Sequence, residues 1–96
     1  MPKASHAEQA RVLTDIPNIG KTVAADLRGI GITTPQQVRA MDPLLAYEQL
    51  RGPMGQRHDP CMLDTFLAAH DFMNGGRKQP WWNFTARRKA LLAKQH

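Results

Sequence analysis

The sequence predicts an all-α fold, a compact bundle of five to six short helices in one domain covering residues 1–96. Two observations predict it. Helix-start signals recur along the chain, with apolar residues at helical spacing behind them. No four-residue alternation of β-branched residues marks a strand.

The elements follow in order. Ser5-His6-Ala7-Glu8 has the form of a capping box, Ser5 as N-cap and Glu8 reaching back, and opens a helix over about 6–14. A second helix covers about 20–29 and stops at Gly29 or Gly31. Thr34-Pro35-Gln36-Gln37 is another capping box, with proline at the first helical position, where its missing N–H costs nothing; it opens a helix over about 35–40. Asp42-Pro43 and Asp59-Pro60 repeat the cap-then-proline pattern and open helices over about 43–51 and 60–73. Gly75-Gly76 is a left-handed stop. The last helix covers about 85–95, capped by Asn83 or Thr85, within a basic C-terminal segment of about 83–95.

Apolar spacing gives these helices buried faces. Val23, Ala24, Leu27 and Ile30 share one side of the second helix. Met62, Phe66, Ala69 and Met73, broadened by Leu63 and Leu67, form the stripe of the fifth. They read as core.

Composition narrows the class. A single cysteine excludes an intramolecular disulfide and fits a reducing, cytoplasmic compartment. The first twelve residues hold no apolar run of a signal peptide, and no stretch approaches the ~20 apolar residues of a membrane span. The net charge of +5 is uneven: residues 77–96 carry six basic side chains (Arg77, Lys78, Arg87, Arg88, Lys89, Lys94) and no acid, while residues 1–76 carry seven basic and eight acidic groups. This asymmetry suits contact with a polyanion, and equally a solvated helix face.

Between the first two helices lies Ile16-Pro17-Asn18-Ile19-Gly20-Lys21. The order resembles the helix-hairpin-helix motif, whose usual form is apolar-Pro-Gly-apolar-Gly between short helices, and the match covers about residues 12–50. Asn18 stands where the first glycine is more frequent, and asparagine tolerates the left-handed backbone. Gly20 lets a phosphate approach the main chain, the first turn behind it leaves N–H groups without partners, and its dipole favours an anion. Lys21 and Thr22 add a charge and a hydroxyl. Ile16 and Ile19 pin the turn to the core.

Over nearly the whole chain, "DIPNIGKTVAADLRGIGITTPQQV", "GQRHDPCMLDTF" and "DFMNGG" followed by "PWW" resemble the small bacterial pathogenicity locus family, a group of helix-hairpin-helix proteins. The first segment is also similar to the C-terminal domain of TfoX-type competence regulators. The resemblance implies a bacterial, cytoplasmic, all-α protein of SAM-like arrangement with DNA binding, and names no biochemical activity.

Three further stretches have two readings each. "GQRHDPC" gathers His58, Asp59 and Cys61, with Asp64 and His70 downstream. It reads as a metal or Cys–His site, or as a helix cap followed by a small residue; the paired Cys-x-x-Cys of a zinc site is absent. "RGPMGQR" echoes the hairpin, with Gly55 opposite Gly20 and Arg57 available to a phosphate. Trp81 and Trp82, flanked by basic groups, either stack on unpaired bases or close one end of the core with Phe84. A lysine just after a hairpin serves catalysis in some DNA glycosylases, but Lys21 follows its glycine directly and the chain is too short for a base-flipping pocket.

The expectation is a small non-enzymatic protein that contacts the DNA phosphate backbone non-specifically. Pro17, Asn18, Ile19, Gly20, Lys21 and Thr22 form the contact, and Arg77, Lys78, Arg87, Arg88 and Lys89 supplement it. No cofactor or metal is expected; a second copy or a protein partner would raise affinity. The alternative is a protein-interaction module with a purely structural hairpin.

Overall fold

The computed structural model describes residues 3–50 and 60–94. Its elements are five α-helices and three 3₁₀ turns among those residues: 3₁₀ turns at Ala7–Gln9 and Leu13–Asp15, α1 at Lys21–Gly29, α2 at Pro35–Ala40, α3 at Pro43–Gln49, α4 at Cys61–Met73, a 3₁₀ turn at Trp81–Phe84, and α5 at Thr85–Ala93. The all-α class holds. No described residue lies in a strand.

Helix starts and stops follow local chemistry. Thr34 Oγ1 accepts from Gln37 N at 3.2 Å, while Gln37 Oε1 accepts from Thr34 N at 3.1 Å, closing the capping box of α2. Asp42 Oδ1 accepts from the amides of Leu44 and Leu45 at the start of α3. Helix α1 ends with Gly31 at φ +89°, where Ile32 N donates to Leu27 O and Gly31 N to Arg28 O. Helix α4 ends the same way: Gly75 at φ +99°, with Gly76 N donating to Asp71 O and Gly75 N to Phe72 O. Both are Schellman closures, which require a left-handed residue and so select glycine.

Two expectations need correction. The helix expected over 6–14 is two separate 3₁₀ turns. In a continuous helix the amides of Arg11 and Val12 would bond the carbonyls four residues back. Instead both donate to Asp15 Oδ2, at 2.9 and 3.1 Å, which ends the helix before it forms. The box also shifts: Gln9, not Glu8, reaches back, its Oε1 accepting from Ser5 N and His6 N. The second correction concerns α5. Neither Asn83 nor Thr85 caps it, because the Thr85 hydroxyl donates to Asp64 and the Asn83 amide to Gln79. The cap expected from Asp59 lies outside the described residues, as does the "RGPMGQR" echo.

Helix α4 is the centre of the bundle. It packs against α2, α3, α5 and the first and third 3₁₀ turns. Leu63 through Ala69 are all buried, so α4 is enclosed on every side rather than along one stripe. Leu13, Ile16, Ile19, Leu27, Val38, Tyr47 and Phe84 complete the core around it.

Candidate functional site

The turn between the second 3₁₀ element and α1 is held from three sides. Its apolar members Ile16, Pro17 and Ile19 are buried. Asn18 adopts φ +74° and its Nδ2 donates to the Gln79 carbonyl at 2.9 Å. On the other flank, Lys3 Nζ donates to the carbonyls of Thr14 and Ile19, and Ala4 N donates to Asp15 O at 2.8 Å. The turn is therefore tied to the segment before it, at Lys3 and Ala4, and to the segment between α4 and α5, at Gln79.

What faces outward is Gly20, Lys21 and Thr22, all exposed. Gly20 precedes α1 in extended backbone, and the first intrahelical bond runs from Ala24 N to Gly20 O at 2.9 Å. The amides of Lys21, Thr22 and Val23 come before that bond and receive no side-chain cap. A Cβ at Gly20 would meet no heavy atom within 4 Å, so the approach to these amides is open. An anion there gains both the N–H groups and the positive helix end.

Beside the turn lies a cavity of about 320 Å³ lined by Lys3, Pro17, Asn18, Lys78, Gln79 and Pro80. Burial holds the Lys3 ammonium below its ordinary value of 10.5; Asp15 opposes that shift, and the charge of Lys78 reinforces it. Two lysines thus line one cavity.

The supplementary basic residues do not form one surface. Lys78 joins the turn, and exposed Arg77 precedes it. Arg87 lines a different cavity, with Leu44 of α3 and Leu67 and His70 of α4. Lys89 is exposed on α5. Arg88 points inward: its Nε donates to Oδ1 of Asp64 at 2.8 Å, and the Asp64 side chain is fully buried. Thr85 Oγ1 donates to the other carboxylate oxygen at 2.6 Å.

The sequence offers Asp64 only as part of a metal or Cys–His group, and Lys3 not at all. Lys3 stands in no motif. Asp64 carried a readable signal, an acid in the first turn of α4 between apolar Leu63 and Phe66, which needs a partner when buried. The two tryptophans divide. Trp81 packs against the core, and Trp82 is 61% exposed, the rings meeting edge to face at 5.6 Å. His58 and Asp59 lie outside the described residues, and among those described no three His, Cys, Asp or Glu side chains gather as a metal site requires. No helix among them is long and apolar enough to cross a membrane.

The profile of the family described as pathogenicity locus matches residues 6–90. The chain belongs to the pathogenicity locus family. The matched span takes in the turn, the exposed start of α1 and the Asp64–Arg88 pair, and leaves Lys3 outside. The chain is also similar to mitomycin resistance protein McrB of Streptomyces lavendulae, 46% identical over 81 residues, which are 84% of this chain and 77% of that protein. No solved structure matches the pathogenicity locus chain.

Proposed function

We propose that this protein binds DNA non-specifically and without catalysis, holding a backbone phosphate at a helix-hairpin-helix turn. The hairpin is a reduced one, related to that of TfoX-type domains, with a single 3₁₀ turn in place of its leading helix. The observation that carries the reading is the division of labour within the turn: Ile16, Pro17 and Ile19 are buried, while Gly20, Lys21 and Thr22 stand exposed over uncapped amides. Contacts of this kind position a protein on the backbone and read no base. Arg77, Lys78, Arg87 and Lys89 add attraction, and Arg88 belongs to the interior instead. By similarity to the Streptomyces lavendulae relative we assign the protein a part in mitomycin resistance, exerted through this binding in the cytoplasm.

One hairpin engages few phosphates, so a dissociation constant of about 10⁻⁴–10⁻⁶ M is expected, weakening steeply with salt. Fluorescence anisotropy of labelled duplex, titrated at several salt concentrations, tests this against Gly20→Glu, which places a carboxylate at the phosphate position. Loss of binding in the folded variant is the expected result; equal binding by both proteins removes the turn from the interface.

A second reading has one observation behind it. A groove of about 300 Å³ is lined by Leu44, Leu67 and Leu91 together with Asp42, His70 and Arg87, the mixed apolar and charged lining of a protein-docking surface. Binding there would ignore Gly20→Glu.

A further inference from the structure

The cavity beside the turn differs in kind from the helix start next to it. It is a concave site whose six lining residues include two lysines and no acid. Lys3 is anchored by the carbonyls of Thr14 and Ile19, so its ammonium is held in place rather than left to wander. Lys78 extends from the segment that the Asn18–Gln79 hydrogen bond ties to the turn. Two like charges facing one cavity repel each other, and an anion placed between them removes that repulsion while gaining two charge-assisted hydrogen bonds. Asp15 acts on Lys3, and Asp71 Oδ2 accepts from Gln79 Nε2 at 3.4 Å, but neither acid lines the cavity.

The remaining walls narrow the ligand. Half-buried Pro80 contributes apolar ring surface beside the buried Pro17, and Asn18 and Gln79 complete the wall with amides whose N–H groups already donate to Gln79 O and Asp71 Oδ2. A volume of about 320 Å³ lies at the small end of the ~300–1,000 Å³ typical of ligand sites. That suits one small unit, free or part of a strand, with an anionic end, a flat apolar part and a few hydrogen-bonding groups. Pro17 and Asn18 belong both to this cavity and to the turn that presents the amides of Lys21 to Val23. The two sites are therefore neighbours on one surface.

We propose that this cavity is a nucleotide subsite: it takes a single nucleoside monophosphate unit, the phosphate between Lys3 and Lys78 and the base against Pro17 and Pro80. The unit comes either from a bound strand, beside the phosphate held at the turn, or as a free mononucleotide. The inference deepens the DNA-binding reading and rests on it for the strand-borne source.

The test is a ¹H–¹⁵N NMR titration of the full chain with thymidine monophosphate, inorganic phosphate and a short oligothymidylate. Thymidine monophosphate is expected to shift the side-chain amides of Asn18 and Gln79, and Lys78→Glu to weaken that binding by about tenfold or more. If the oligonucleotide moves the same amides, the strand is a source; if only the mononucleotide does, the free nucleotide is. In Gly20→Glu the oligonucleotide response of the Lys21–Val23 amides should vanish, while the mononucleotide response of Asn18 and Gln79 persists. Silence of Asn18 and Gln79 towards all three ligands overturns the subsite, even where the Lys21–Val23 amides respond and the turn itself stands. Unchanged affinity in Lys78→Glu overturns it too. Inorganic phosphate binding as tightly as thymidine monophosphate would overturn the assignment to nucleotides.

Discussion

Arg88 and Asp64 form an ion pair at 2.8 Å between α5 and α4, and it turns one member of a basic surface helix into part of the interior. Asp64 is fully buried, and its two oxygens are taken by Arg88 Nε and Thr85 Oγ1. A buried carboxylate so paired is costly to disrupt from one side, because the remaining charge loses its partner. Asp64→Ala is expected to lower stability by about 3–5 kcal/mol, read from the urea midpoint. Adding Arg88→Met should restore part of that loss. Simple additivity of the two substitutions would show that the pair holds nothing together.

Two glycines with opposite surroundings predict opposite outcomes. A Cβ at Gly76 would lie 1.9 Å from Asp71 Oδ2 and 2.8 Å from the Asp71 carbonyl oxygen. The carboxylate can swing away, but the carbonyl is fixed by its bond from Gly76 N at 2.8 Å. Gly76→Ala should cost about 1–3 kcal/mol. Gly20→Ala meets nothing and has ordinary extended backbone, so its melting curve should match the parent to within about 0.5 kcal/mol. That tolerance makes Gly20 a clean position for probing binding.

Asn18 is the one described non-glycine residue with positive φ. Asn18→Gly relieves the backbone and forfeits the hydrogen bond to Gln79 O, so a net change within about 1 kcal/mol is expected. Asn18→Val adds a β-branched side chain where such residues are least at ease, and thermal denaturation should show a loss of about 1–3 kcal/mol. Equal stability of the two variants would mean the turn relaxes out of the left-handed region.

Acid and base should act on different flanks of the turn. The amides of Arg11 and Val12 hold the Asp15 carboxyl below its ordinary 3.8. Its contribution is present above that value and is lost as pH falls through the lowered one. Lys3, held below 10.5 mainly by burial, acts in the same direction at the alkaline end. Between its lowered value and 10.5 the unfolded chain binds more protons, so this part of the stability rises with pH. Melting temperature against pH should flatten at the acid end in Asp15→Asn and at the alkaline end in Lys3→Met.

Read from the sequence alone, α2 and α3 were legible almost to the residue, because the chemistry that sets their ends lies within the helix itself. The Thr34–Gln37 box and the Asp42–Pro43 cap act over three residues or fewer. The same holds for the glycine stops after α1 and α4. The first helix failed for a local reason of the same range, since Asp15 outcompetes the carbonyls for the amides of Arg11 and Val12. Caps of this kind can be weighed only when every acceptor nearby is counted.

The sequence by itself determined the fold class, the bounds of α1 to α4, and the turn with its anchoring isoleucines. Only the tertiary structure decided which charges face outward and what the turn touches. Arg88 reaches Asp64 across 24 residues, Lys3 reaches Ile19 across 16, and Asn18 reaches Gln79 across 61. Side chains of one type share the same local preferences whether they end in water or in a buried pair. Their burial, and so the free energy of their charge, is set by elements that arrive from elsewhere in the chain.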